Sequence, residues 1–154
     1  MRRPTRSGTA ARTFGMLFGM LLALACSGSG ATGPQAALGA ARNRWVADAP
    51  ASYSMVVTRR CECLPGASGR VLVTVRDGVV ESRRYVADGT DVPEQFAAVF
   101  PTVPEMFEMI EEATRQGVQP IDVQYSPMGY PTRVALGDPA VDAPLLTITE
   151  FHPL

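Results

Sequence analysis

The sequence has no lysine and a single histidine, His152, so most arrangements for acid–base or metal chemistry lack their side chains. The motifs Gly-x-Ser-x-Gly and His-Glu-x-x-His and the glycine-rich phosphate loop are missing as well. These absences argue against the common hydrolases, zinc proteases and nucleotide-binding enzymes. We therefore expect a protein that is not an enzyme and that uses neither a cofactor nor a metal ion.

The positive charge comes from arginine alone, and it is unevenly distributed. Residues 1–25 contain four of the fourteen arginines and no acidic residue, whereas the rest has ten arginines against fifteen acidic residues. The part after residue 25 therefore has a net charge of −5. A mildly acidic domain has no general attraction for a phosphate backbone, so we expect no nucleic-acid partner.

The sequence also lacks an apolar run long enough to cross a bilayer as a mature helix. The shorter run Phe14–Leu24 follows the basic stretch Met1–Arg12, an order typical of signal peptides. Leu22-Ala23-Leu24-Ala25-Cys26 then resembles the lipobox of bacterial lipoproteins, in which cleavage precedes a cysteine that is acylated. We expect residues 1–25 to be a lipoprotein signal peptide and Cys26 to carry palmitate or related acyl chains. The exported protein would then be anchored to the bacterial cell envelope. The alternative is an ordinary secretory peptide cut near Ala25, with no role for Cys26.

The residues after Cys26 predict a flexible tether followed by one domain. Ser27–Pro34 consists of small residues and proline without apolar periodicity. We place the tether at residues 26–37 and a single domain at residues 38–154. A domain of this length can bury a core without disulfide bonds.

Alternation of apolar and polar residues indicates a sheet. Val71, Val73 and Val75 alternate with more polar neighbours, and Asp77-Gly78 is typical of a type I′ hairpin turn. This turn predicts Val75 opposite Val80, Val73 opposite Ser82 and Thr74 opposite Glu81. Further strands are predicted before Cys61, at Ile121–Tyr125, at Pro131–Leu136 and at Leu145–Phe151.

Two segments have a helical period. Ala36–Ala49 places Leu38, Ala41, Trp45 and Val46 on one stripe, and Pro50 ends it. Thr102–Gln116 begins with the capping-box pattern Thr102-x-x-Glu105, has Val103, Phe107, Ile110 and Thr114 on its stripe, and is followed by Gly117. Residues 87–101 predict a loop with one helical turn at Glu94–Val99.

These segments predict an α+β fold, with two helices packed on one face of an antiparallel sheet of about five to six strands. In both halves of the domain a helix precedes antiparallel strands. This order suggests a pseudo-repeat of a helix plus a hairpin.

The motif Cys61-Glu62-Cys63 is the strongest candidate for chemistry. Two close cysteines in an exported protein predict a disulfide, although a regular strand must bend to allow the bridge at this spacing. Alternative interpretations are a redox couple, helped by Arg59 and Arg60, or two thiolates that bind a soft metal such as Cu(I). A zinc site is poorly supported, because His152 is far along the chain.

Tyr130, Asp138 and Asp142 form a second group of candidates. Tyr130, in Gly129-Tyr130-Pro131-Thr132, is either an aromatic anchor of an interaction surface or part of a packed corner. Asp138 and Asp142 are flanked by prolines, so they are either ordinary loop residues or a weak cation site.

In the order and spacing of these features, the sequence resembles a family of bacterial exported lipoproteins catalogued as domain of unknown function 6174. The matching positions are Trp45, Tyr53, Cys61-x-Cys63, Val73-x-Val75-x-Asp77-Gly78-x-Val80, Thr102-Val103-x-x-Met106-Phe107-x-x-Ile110, Val123-x-Tyr125, Gly129-Tyr130-Pro131-Thr132, Asp138 and Asp142. The resemblance implies a location and a shape but no activity.

Two hypotheses for function follow from the sequence. The first is a non-catalytic domain that is tethered to the membrane and binds a protein, a peptide or a wall component. The second is a thiol-based redox or soft-metal-handling protein that uses Cys61 and Cys63.

Overall fold

The structure, a computed structural model, describes residues 33–138 and 143–154. Cys26 and Asp142 lie outside these residues. The elements follow in the order α1 (Pro34–Asp48), β1 (Tyr53–Arg60), β2 (Gly69–Arg76), β3 (Val79–Tyr85), α2 (Glu94–Ala97), α3 (Val103–Arg115), β4 (Ile121–Tyr125), β5 (Pro131–Leu136) and β6 (Leu145–Pro153). Each half of this chain therefore places a long helix before three strands, one strand more than the predicted repeat of a helix plus a hairpin.

The six strands form one antiparallel sheet in the order β3-β2-β1-β6-β5-β4. The last strand of the chain thus lies in the middle of the sheet, between β1 and β5. The predicted α+β class is confirmed. The third helix, α2, is a single turn in the segment where the sequence predicted one.

The core lies between the sheet and the long helices. Buried positions alternate along β2, where Val71, Val73 and Val75 face inward. Val103, Met106, Phe107 and Ile110 of α3 pack in the same apolar cluster. Buried residues therefore recur with a period of two along β2 and with a helical period along α3, as the sequence predicted.

The capping box of α3 is present. The Glu105 carboxylate accepts a hydrogen bond from the Thr102 N–H at 2.6 Å, and the Thr102 hydroxyl accepts one from the Glu105 N–H. Gly117 follows the helix with φ 72°, a left-handed conformation that suits a residue without a Cβ atom.

The predicted register of the first hairpin is correct beside the turn and wrong farther from it. Asp77 and Gly78 both have positive φ, and Val75 lies opposite Val80. A bulge then shifts the pairing, so that Thr74 lies opposite Ser82 and Val73 opposite Arg83. The pairings Thr74–Glu81 and Val73–Ser82 are therefore wrong, because β3 contains one residue more than its partner at this point.

Two stripe assignments also need correction. Val46 is 72% exposed, because it is one residue past Trp45 and points about 100° away from it around α1. On α3 the core position at the carboxyl end is Ala113, whereas Thr114 is only half-buried and donates a hydrogen bond to the Ile110 carbonyl.

An aromatic cluster joins α1 to the sheet. The Trp45 ring contacts Tyr53, Tyr130 and Phe151 edge to face, and Tyr130 stacks on Phe151 with ring centroids 4.4 Å apart. Gly129, beside this cluster, has φ +98°, and a Cβ atom there would lie 2.2 Å from the Ala41 carbonyl oxygen. The close approach of α1 to the β4–β5 turn therefore requires glycine at this position.

The two edges of the sheet differ. Along the second half of β3, the Tyr85 N–H donates to the Thr90 carbonyl and the Val92 N–H donates to the Arg83 carbonyl. Residues 90–92 thus cover that edge. At the other edge, β4 pairs with β5 on one side only, within the described residues.

Candidate functional site

The loop between β1 and β2 contains the Cys61-Glu62-Cys63 motif. The structure joins the two cysteines in a disulfide, with Cα atoms 5.3 Å apart. Since β1 ends at Arg60, the chain has left the regular strand, which allows the bridge. Cys63 is exposed and Cys61 is half-buried, so the disulfide lies at the surface.

The side chain of Arg59 contacts this disulfide. Its Nη1 lies 2.8 Å from Cys61 Sγ and 3.1 Å from Cys63 Sγ, and it also donates a hydrogen bond to the Ala67 carbonyl. Arg59 is half-buried, whereas Arg60, the last residue of β1, is exposed. A disulfide sulfur accepts hydrogen bonds weakly, whereas a thiolate accepts them strongly from a guanidinium. A guanidinium in this position would therefore stabilise a thiolate if the disulfide were reduced.

Contacts from β3 and α2 hold the second half of the loop. The Tyr85 hydroxyl donates a hydrogen bond of 2.6 Å to the Gly66 carbonyl. Gly66 has φ +90°, and a Cβ atom there would lie 2.8 Å from the Phe96 ring. Ala67, the acceptor for Arg59, is buried, and its N–H donates to the Leu64 carbonyl. The carbonyl that orients Arg59 is therefore held in place.

The other predicted site residues are not in one place. Tyr130 is half-buried in the aromatic cluster, where it packs against Trp45 and Phe151. It directly precedes β5, whereas the exposed Asp138 follows the end of that strand. The two side chains therefore belong to opposite ends of β5, and Asp142 lies outside the described residues.

The structure has a groove beside β4 that the sequence did not predict. Its volume is about 330 Å³. Its walls are the first turns of α1, the Ile110–Thr114 side of α3, and the inner face of β4 with Ile121, Val123 and Tyr125. The period-two pattern of these three residues predicted the strand correctly. Its position at the edge of the sheet depends on the strand order, which no local pattern contains.

Two tyrosines, the buried Tyr53 and the half-buried Tyr125, have raised pKa values. Burial raises the pKa of Tyr125, whose ring stacks on Phe107, to about 12. Burial also raises the pKa of Tyr53, and its hydroxyl accepts a hydrogen bond of 3.4 Å from the Val103 N–H. Both side chains are neutral at ordinary pH. Tyr125 therefore adds no charge to the groove that it lines.

The described residues contain neither a metal-binding cluster nor a membrane-spanning helix. In residues 33–138 and 143–154, no three side chains of histidine, cysteine, aspartate or glutamate are placed to hold a metal ion. In the same two ranges, no helix has the length and apolar character needed to span a membrane.

Comparison with known proteins gives one match. A family model described as a family of unknown function (DUF6174) matches residues 37–152. No curated protein and no solved structure matches the chain. The matched residues include the cysteine loop, α3 and all six strands except the final residue of β6.

Proposed function

The chain belongs to the family of unknown function DUF6174, which supplies no activity, and we propose a function from the chain's own features. We propose that the protein is a non-catalytic binding domain, exported and tethered by lipid to the membrane of the bacterial cell envelope. Its partner would be a protein or peptide that supplies an extended segment. His152, the single histidine, is exposed and has no role in this proposal.

The order of a basic stretch, an apolar run and Cys26 supports the lipid anchor. Cells that express the full-length protein should incorporate labelled palmitate into it. The Cys26→Ala variant should lose the label, and a Cys61→Ser/Cys63→Ser variant should keep it, because those cysteines lie in the folded domain. Unchanged labelling of Cys26→Ala would contradict the anchor.

The open edge at β4 is the observation on which the binding proposal depends. An edge strand has backbone N–H and C=O groups that can pair with an extended peptide, and adjacent pockets can select alternate side chains of that peptide. Beside β4, the groove formed with α1 and α3 has apolar walls at Ile110, Ile121 and Val123. A peptide with apolar residues at every second position fits this arrangement.

Site-specific photo-crosslinking in cells tests the binding surface. A crosslinking residue at the exposed Gln124 of β4 should give one adduct of discrete mass. The matched control is the exposed Glu81 of β3, at the opposite edge, which should give none. Thr114→Arg, which narrows the groove, should reduce the Gln124 adduct at least fivefold. Equal adducts from both edges would contradict the proposal.

Thiol-based redox or soft-metal chemistry at Cys61 and Cys63 is the second candidate function. The contact of Arg59 with both sulfurs favours it over an inert disulfide. If this function operates, millimolar reduced glutathione should open the disulfide of the folded full-length protein. Resistance to glutathione under native conditions would exclude it.

A further inference from the structure

We propose that a thiol of a partner protein attacks the sulfur of Cys63, that Cys61 is the leaving sulfur, and that Arg59 is the positioning residue which receives the Cys61 thiolate. This inference rests on the second candidate function. It adds the substrate class, which is a protein dithiol, and the order in which the sulfurs react.

Accessibility distinguishes the two sulfurs. An attacking thiolate must approach one sulfur along the line of the bond that breaks, so the more exposed sulfur is the better target. Cys63 is exposed, whereas Cys61 is half-buried where β1 ends. Attack on Cys63 therefore meets the smaller steric barrier.

Arg59 lies beside both sulfurs. Its Nη1 is 2.8 Å from Cys61 Sγ and 3.1 Å from Cys63 Sγ, so it can stabilise the thiolate that forms on Cys61 when Cys63 is attacked. Exchange is faster when the leaving sulfur is stabilised as a thiolate. Because the buried Ala67 also accepts a hydrogen bond from Arg59, the guanidinium has an anchor that does not depend on the disulfide. Accessibility therefore assigns the attack to Cys63, and Arg59 is in place to receive the charge on Cys61.

The reaction consists of two exchanges. In the first, a partner thiolate forms a bond to Cys63 Sγ, the Cys61–Cys63 bond breaks, and its electron pair stays on Cys61 Sγ beside Arg59. In the second, the second thiolate of the partner attacks the partner's own sulfur, and Cys63 leaves as a thiolate. The partner dithiol is oxidised by two electrons and Cys61 and Cys63 are reduced; the two protons from the partner's thiols go to solvent or to the new thiolates.

The first test locates the mixed disulfide. Oxidised full-length protein is mixed briefly with reduced glutathione, free thiols are blocked with N-ethylmaleimide, and the peptide is sequenced by mass spectrometry. Glutathione should be on Cys63 and maleimide on Cys61 in roughly tenfold excess over the reverse arrangement. Glutathione mainly on Cys61 would overturn the assignment.

The second test measures the equilibrium between the protein and glutathione. Arg59→Gln should lower the equilibrium constant for reduction by roughly tenfold, because a charge-assisted hydrogen bond to the thiolate is lost. Arg60→Gln is the matched control, and it should change the constant less than twofold. Arg59→Lys, which keeps the charge, should lie between the two and serves as the readout if Arg59→Gln does not fold. Thermal unfolding of each oxidised variant identifies that case.

Equal effects of Arg59→Gln and Arg60→Gln would overturn the role of Arg59 while leaving thiol exchange intact. If the wild-type disulfide does not exchange at all, the second candidate function fails as a whole. The two failures are therefore distinguishable in the same experiment.

Discussion

Gly129 determines how closely α1 can pack on the β4–β5 turn. A Cβ atom at this position would lie 2.2 Å from the Ala41 carbonyl oxygen and 2.8 Å from the Trp45 nitrogen, and both atoms belong to helix backbone that cannot rotate away. The positive φ of Gly129 adds strain for any other residue. A single missing methyl group thus allows Trp45 to reach its aromatic partners.

Gly129→Ala should destabilise the domain by about 3 kcal/mol, because steric overlap and left-handed strain add together. Gly39→Ala is the matched control. Gly39 lies in α1 with open space around it, so alanine there should stabilise by about 0.5–1 kcal/mol through helix propensity. Urea unfolding followed by circular dichroism measures both changes. A mild effect of Gly129→Ala would show that α1 can shift.

Tyr125 should make stability depend on pH in the alkaline range. Burial raises its pKa in the folded protein from the usual value of 10.0 to about 12. The folded state therefore keeps the phenol proton longer than the unfolded state does, so this contribution is complete below pH 10 and is lost as the pH rises from 10 to about 12. Melting temperatures between pH 9 and 12 should fall less steeply for Tyr125→Phe than for the wild type. Parallel curves would contradict the burial of the hydroxyl.

At the scale of the elements, two reciprocal hydrogen bonds between Thr102 and Glu105 cap the start of α3. Glu105 also accepts a hydrogen bond of 2.9 Å from Arg83, whose side chain is 14% exposed and which donates another to the Phe100 carbonyl. The helix start is therefore connected to β3 as well as capped locally.

Thr102→Ala should lower the free energy of unfolding by about 1 kcal/mol, because the Glu105 N–H loses its acceptor in the cap. Thr114→Ala, in the last turn of the same helix, is the control. Among the described residues its hydroxyl bonds only to the Ile110 carbonyl, which the helix can satisfy without it, so the change should be within about 0.5 kcal/mol. Equal losses in chemical denaturation would mean that the cap contributes nothing specific.

The elements that the sequence predicts well are those with local signals. The cap at Thr102, the apolar stripe and Gly117 all lie within α3 or next to it, and the Asp77-Gly78 turn lies between the strands that it joins. The bulge at Glu81, between Val80 and Ser82 of β3, has no such local signal in the sequence. The insertion of β6 between β1 and β5 is likewise a pairing of distant segments, and sequence periodicity contains no information on it.

In the candidate site, too, some features follow from the local sequence and others depend on distant segments. The sequence predicted the pairing of Cys61 with Cys63, but it did not distinguish Arg59 from Arg60, because the chain leaves the regular strand at this point. The groove needs α1, α3 and β4 together, and Tyr130 needs Phe151 for its packing, so these features depend on tertiary structure.

For the whole molecule, stability should come from the core rather than from the disulfide. The ring closed by Cys61 and Cys63 is so short that the chain-entropy model gives less than its typical 2–4 kcal/mol. Cys61→Ser/Cys63→Ser should therefore lower the melting temperature by only a few degrees, equivalent to about 1 kcal/mol. Val73→Ala leaves a cavity at a fully buried position and should cost at least as much.

Thermal unfolding of both variants, with intact mass to count thiols, decides this prediction. A double serine variant that does not fold, beside a mild Val73→Ala, would assign the disulfide a dominant structural role.

The unequal edges of the sheet also limit self-association. Residues 90–92 already bond to the Tyr85 N–H and the Arg83 carbonyl, so a whole additional strand cannot align along β3. Polymerisation into an open-ended filament requires two free edges on every copy. In the described residues only β4 is an edge strand that is uncovered along its full length. Two copies that pair through their β4 strands have no such edge left for a third copy. Edge-to-edge association through the described strands therefore stops at a dimer and does not continue into fibres.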